Sequence, residues 1–174
     1  MSATARLSLA ALGRLDRAAF AAALDGIFEH SPWLAEASWE RRPFADLDAL
    51  HRAMVAVMRE AGRDRQLALI RAHPELAGDA ALRGEVAAAS RAEQNAAGLS
   101  EASARDLARF RDLNARYRAK FGFPFVIAVA GRSRAEILAC FVERLARDTE
   151  AEFATALDEI AEIARRRLAQ RFPP

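Results

Sequence analysis

At 174 residues the chain has the length of one domain, able to bury about two-thirds of its unfolded surface in one core, so residues 1–174 are read as a single domain. A composition 52% hydrophobic and dominated by alanine, with eight glycines and six prolines, favours helices. The 26 basic and 24 acidic residues are interspersed at a net charge of +2, which leaves no large footprint for nucleic acid or an anionic membrane.

One cysteine, Cys140, excludes an intramolecular disulfide and a thiol pair for zinc. It fits a reducing compartment, hence a cytoplasmic location. Arg6 and the run Leu7 to Leu12 are too short and too poor in large apolar residues for a signal peptide or membrane span. The final Arg-Phe-Pro-Pro is not a familiar address signal.

In chain order, Asp16 can cap a helix whose Phe20, Leu24, Ile27 and Phe28 recur at helical spacing until Ser31-Pro32 interrupts it. Trp33 and Trp39 follow in a short piece ending at Arg41-Arg42-Pro43 and are expected to anchor the core. Asp46 caps the clearest helix, with Leu47, Leu50, Met54, Val57, Met58 and Ala61 on one stripe and Gly62 as a left-handed stop. Asp48 and His51 have the spacing of a helical metal pair, but no second such pair exists, and no metal site is expected.

A helix from about Asp64 to Ala72 leads to His73-Pro74, where proline forces the preceding residue out of the helix and puts the imidazole on a corner. From Ala80 to Ala97 two readings stand. One continuous helix places Leu82, Val86, Ser90, Glu93 and Ala97 on one stripe. Alternatively the helix restarts at Ser90, with Ser-x-x-Glu as a capping box. Either way Ser90, Glu93 and Gln94 share a face.

Ser100 is expected to open a long helix through Leu107, Phe110, Asn114 and Tyr117. Phe121 to Val129 should then be extended or irregular and buried, its backbone donors pairing with side chains, water or a ligand. Capping boxes are expected at Ser133-x-x-Glu136 and Thr149-x-x-Glu152, the last helix carrying Phe153, Leu157, Ile160 and Leu168. Arg165, Arg166 and Arg167 read as a solvated helix end. The expectation is an all-α bundle of seven to nine helices with no significant sheet.

Chemically, His73, the Ser90 to Gln94 face and the Phe121 to Arg132 segment could hold a small anionic substrate between them. Histidine exchanges a proton near neutral pH, glutamate orients it, and arginine binds carboxylates. Five stretches sharpen this: F-E-H-S-P-W-L-A-E-A-S-W-E-R-R-P-F (28–44), H-P-E-L-A-G (73–78), S-R-A-E-Q-N-A-A-G-L (90–99), L-N-A-R-Y (113–117) and K-F-G-F-P-F-V-I-A-V-A-G-R (120–132). In order and wording they resemble the 2-oxo-4-hydroxy-4-carboxy-5-ureidoimidazoline (OHCU) decarboxylase family over nearly the whole chain.

That resemblance implies an all-helical lyase of urate catabolism that yields S-allantoin without a cofactor or metal, often as a homodimer, with no nucleic-acid or membrane partner. It maps the acid/base onto His73 and its assisting carboxylate onto Glu93. Pro74, Ser90 and Gln94 match substrate contacts, and the backbone at Val126, Ile127 and Ala128 matches amides that bind the substrate's polar edge. Some members carry a basic residue directly after the apolar run, where this chain has Ala130. Arg132 is the expected replacement and Arg134 its local competitor. The competing readings are a non-catalytic helical ligand-binding module and a different lyase or hydrolase for related ureide rings.

Overall fold

The computed structural model describes residues 8–173; Arg6, Leu7 and the final proline of the sequence readings lie outside them. Ten α-helices and one 3-10 turn follow in order: α1 (Leu9–Leu12), α2 (Arg17–Ala23), α3 (Pro32–Ser38), the turn Trp39–Arg41, α4 (Leu47–Glu60), α5 (Arg63–Arg71), α6 (Asp79–Leu82), α7 (Ala88–Ala96), α8 (Ala104–Phe121), α9 (Arg134–Leu145) and α10 (Thr149–Arg171). The fold is all-α, with no strand among the described residues. The count exceeds seven to nine because α1 and α6 are single turns of four residues. No helix among the described residues is long and apolar enough to cross a membrane.

The described residues divide into two compact units, 8–66 with 161–173, and 67–160. In the first, Asp16 and Asp46 cap α2 and α4 by accepting from Ala19 N (2.8 Å) and Ala49 N (2.6 Å). The helix begun at Asp16 ends at Ala23. Leu24, Ile27 and Phe28 are buried from the turn that follows, where Gly26 takes a φ of 78°. Pro32 opens α3 at its first turn, the position where a missing N–H costs nothing. On α4, Leu50, Met54, Val57 and Met58 are buried as the stripe requires. Gly62 is not left-handed: α4 ends through Ala61 at φ −64°.

Both tryptophans are half-buried rather than central. Trp39 donates from Nε1 to Leu15 O (2.9 Å) and lies under Arg42; Trp33 lies under Arg65. His51 Nε2 is 2.8 Å from Ala161 O, so this ring nitrogen donates to the backbone of α10. Arg167 is not solvated. It is 5% exposed, donating to Glu29 Oε2 (2.9 Å) and Gly26 O (3.0 Å), while Arg165 and Arg166 pair with Glu162.

The second unit packs α8 against α9 around Phe110, Tyr117, Phe123, Phe125 and Phe141. Ser103, not Ser100, caps α8, accepting from Asp106 N (3.1 Å). The stretch 80–97 is neither reading of the sequence: α6 and α7 are separated by a break at Gly84, whose φ is 71°. Ser90 lies inside α7, behind an Ala87 N-cap, and caps nothing. Asp148 caps α10, accepting from Ala151 N (2.9 Å). Glu152 turns its carboxylate inward instead of closing a capping box on Thr149. The box at Ser133 and Glu136 does form, and the bonds that Ser133 N and Oγ donate to Glu136 Oε2 (2.7 Å each) hold that carboxyl below the usual range.

Candidate active site

All of the expected site residues fall in the second unit. α5 ends as expected before Pro74, and His73 is 7% exposed with Nδ1 2.9 Å from Leu69 O. A carbonyl only accepts, so Nδ1 carries the proton in the neutral ring and Nε2 is the nitrogen that bears none. The corner therefore sets both the direction of the ring and its tautomer.

The chain then bends back through Glu75 to Gly78. Ala77 has a φ of 47°, an uncommon conformation for a residue with a Cβ. A Cβ on Gly78 would stand 2.8 Å from that of Glu75, so the bend requires glycine here. Three longer-range bonds hold it. Asn114 Nδ2 donates to Leu76 O (3.0 Å), Ala77 N donates to Gln94 Oε1 (3.0 Å), and Glu75 pairs with Arg118 (2.8 Å).

On α7, Ser90 and Gln94 are buried and Glu93 is half-buried, as is Pro74. Gln94 thus joins α7 to the corner, a structural task the sequence did not reveal. It also borders a cavity of about 230 Å³ with Ala77, Arg91, Asn95, Leu99 and Ser100. His73, Glu93 and the Val126–Ala128 segment do not line that cavity.

α8 ends at Phe121 with Gly122 (φ 76°) as its exposed left-handed cap, and 123–129 is buried and irregular, as its composition predicts. Arg71, two residues before His73, donates from Nε to Gly122 O (3.0 Å), tying the start of this segment to the end of α5. Phe125 stacks on Phe141 at 3.9 Å between centroids, with Tyr117 edge-on to both.

Beneath the segment lies a charged network that sequence reading missed. Arg144, 1% exposed, donates from Nε to Glu152 Oε1 (2.7 Å) and from Nη1 to Val126 O (2.8 Å), with its guanidinium over Phe125. Tyr117 OH donates to the same Glu152 oxygen. Glu159 Oε2 accepts from Ala128 N (2.8 Å), and its Oε1 lies 4.0 Å from Arg144 Nη1. Burial, then the bond to Glu152, pushes the Tyr117 hydroxyl far above its ordinary pKa. Burial works against the charge on Arg144, but hydrogen bonding and charge pairing with Glu152 outweigh it and hold the guanidinium more firmly protonated than usual.

Of the three amides expected to meet a ligand, that of Ala128 is taken by Glu159. Those of Val126 and Ile127 have no acceptor among the described residues. Arg132 is exposed and spends only Nε, on Ala128 O (3.2 Å), which places its guanidinium at the end of the segment. Arg134 is committed to structure, donating from Nη1 to Gly98 O and Glu101 O (3.2 Å each) and pairing from Nε with Asp106 (3.2 Å). Among the described residues no three His, Cys, Asp or Glu side chains cluster as metal ligands.

The family model for OHCU decarboxylase matches residues 13–169. The chain is 44% identical to the 2-oxo-4-hydroxy-4-carboxy-5-ureidoimidazoline decarboxylase of Haloferax volcanii, over 95% of this chain and 96% of that protein. It is 39% identical to the putative enzyme of the same name from Homo sapiens, over 81% and 82%. Among solved structures it is similar to an (S)-allantoin synthase (TM-score 0.76, 29% identity, 95% of this chain and 54% of that one). An OHCU decarboxylase crystallised in the presence of (S)-allantoin matches at a TM-score of 0.69 and 25% identity, over 85% and 96%. With a corner histidine, a polar helix face and an apolar segment set in one unit, and with matches that run nearly end to end, this chain belongs to the OHCU decarboxylase family.

Proposed function

We infer that this protein is a carbon–carbon lyase that removes CO₂ from OHCU to give S-allantoin in the breakdown of urate. Within the fold, the observation that carries the reading is His73, a buried imidazole with its tautomer set by Leu69 O. A general acid/base needs that fixed direction, because proton transfer is efficient only within hydrogen-bond reach.

The substrate's own ring imine takes up the electron pair as the bond to CO₂ breaks, so a carbon–carbon double bond forms in the ring and the imine nitrogen takes a proton. The ring hydroxyl then gives up its proton to become a carbonyl, while the neighbouring carbon gains the hydrogen that makes the product chiral. His73 is the residue assigned to proton handling at Nε2, and Glu93 orients the imidazole and polarises the substrate. Pro74, Ser90 and Gln94 shape the pocket around them. Gln94 does so while its Oε1 holds Ala77 N. Val126 and Ile127 offer amides to the substrate's polar edge, and Arg132 supplies the guanidinium.

A cytoplasmic homodimer is the proposed working state, on the strength of the lone cysteine and the family resemblance; sedimentation of the purified protein at twice the chain mass is the expected result. The activity is tested by adding protein to OHCU freshly generated from urate, with ultraviolet absorbance, CO₂ release and optical rotation followed together. Fast, stereospecific formation of S-allantoin supports the reading. A rate equal to the spontaneous one leaves a binding module, and substrate loss without CO₂ leaves a different ureide-ring enzyme.

A further inference from the structure

We propose that Glu159, acting with Arg144, is a positioning residue that turns the backbone of Ile127 toward the substrate. The two peptide groups flanking Ile127 are each gripped by one atom. Val126 O accepts from Arg144 Nη1 (2.8 Å), and Ala128 N donates to Glu159 Oε2 (2.8 Å). Arg144 and Glu159 approach each other to 4.0 Å, so both grips come from one side.

In a trans peptide the carbonyl and the N–H point in opposite directions, and neither of these peptides is cis. The peptide held by its carbonyl on Arg144 therefore directs the Ile127 N–H away from the pair. The one held by its N–H on Glu159 directs the Ile127 carbonyl away too. Ile127 so presents a donor and an acceptor on one face, and neither has a partner among the described residues. That is the complement of an amide or ureide edge, which carries one N–H and one C=O side by side.

Charge sharpens the effect. A guanidinium on Val126 O polarises that peptide and strengthens the Ile127 N–H as a donor; a carboxylate on Ala128 N does the same for the Ile127 carbonyl as an acceptor. Neither side chain has to touch substrate. This rests on the decarboxylase reading above, and it names Glu159, which nothing in the sequence motifs singles out.

The test compares Glu159→Gln and Glu159→Met in steady-state decarboxylation of freshly generated OHCU, with thermal melting measured alongside. Glutamine keeps an acceptor for Ala128 N, and methionine keeps volume without one. We expect KM to rise about tenfold or more in Glu159→Met with a smaller change in kcat, and glutamine to recover most of that loss, the scale of one hydrogen bond to a charged group. An unchanged KM in Glu159→Met overturns the inference, as does a glutamine variant as impaired as the methionine one. If Glu159→Met does not fold, Glu159→Gln beside Glu159→Ala carries the same comparison. A wild-type protein with no activity sinks the decarboxylase reading instead, and is told apart by the wild-type control alone.

Discussion

The bend at His73–Gly78 and the segment Gly122–Arg132 both leave the helical ladder and both carry groups assigned to the substrate, yet they are held by different forces. Neutral amides do most of the holding at the bend, where Asn114 and Gln94 satisfy Leu76 O and Ala77 N. The segment sits on buried charge, Arg144 with Glu152 and Glu159. A neutral hydrogen bond contributes about 1 kcal/mol net and sets direction with modest strain. A buried ion pair adds little net stability, but removing one partner strands the other at a cost of several kcal/mol. The segment is therefore the costlier of the two regions to disrupt by a single substitution.

The largest expected effect breaks the charged side. Arg144→Met leaves Glu152, 0% exposed, without its cation, and should lower unfolding stability by ~3–5 kcal/mol in urea titration. A loss comparable to that of a surface arginine would mean that the network is not what holds the segment.

Smaller effects belong to the bend. Gln94→Leu orphans Ala77 N and Asn114→Leu orphans Leu76 O; each should cost about 1–3 kcal/mol and reduce turnover as the corner holding His73 loosens. If either variant equals the other region's loss, the distinction between the two regions fails.

The smallest effect on stability, and the sharpest separation, is between two arginines. Arg132→Ala should leave melting unchanged and raise KM, because its guanidinium is exposed and spends only Nε. Arg134→Ala should lower stability and leave KM alone, because it straps Gly98, Glu101 and Asp106. The opposite pattern would move the substrate guanidinium to Arg134.

Much of this was legible from residue order. Caps at Asp16, Asp46 and Ser133, the helix end before Pro74, and an apolar stretch broken by Gly122 and Pro124 all follow from local chemistry, and they put the His73 corner and the irregular segment where they stand. What escaped was non-local. Ser-x-x-Glu fits a capping box at Ser90 and Thr149 as well as at Ser133, but the motif cannot say whether the chain is already helical when the serine or threonine arrives. Asp148 took the cap of α10, one residue earlier, and freed Glu152 for the core. Among 26 basic residues, nothing local marks Arg144 as the one buried under an aromatic stack. Gln94 was read as a ligand contact from its helix face; its hold on Ala77 depends on a bend seventeen residues away.

The most direct test of the account concerns the atom on which it turns, His73 Nε2. His73→Asn keeps an amide that can donate to Leu69 O and removes the group that exchanges a proton. We predict melting close to wild type with kcat reduced about 10²-fold or more, the usual scale of a lost general acid/base, and product that is no longer a single enantiomer. A variant that still makes S-allantoin at the wild-type rate would contradict the account and assign proton transfer elsewhere.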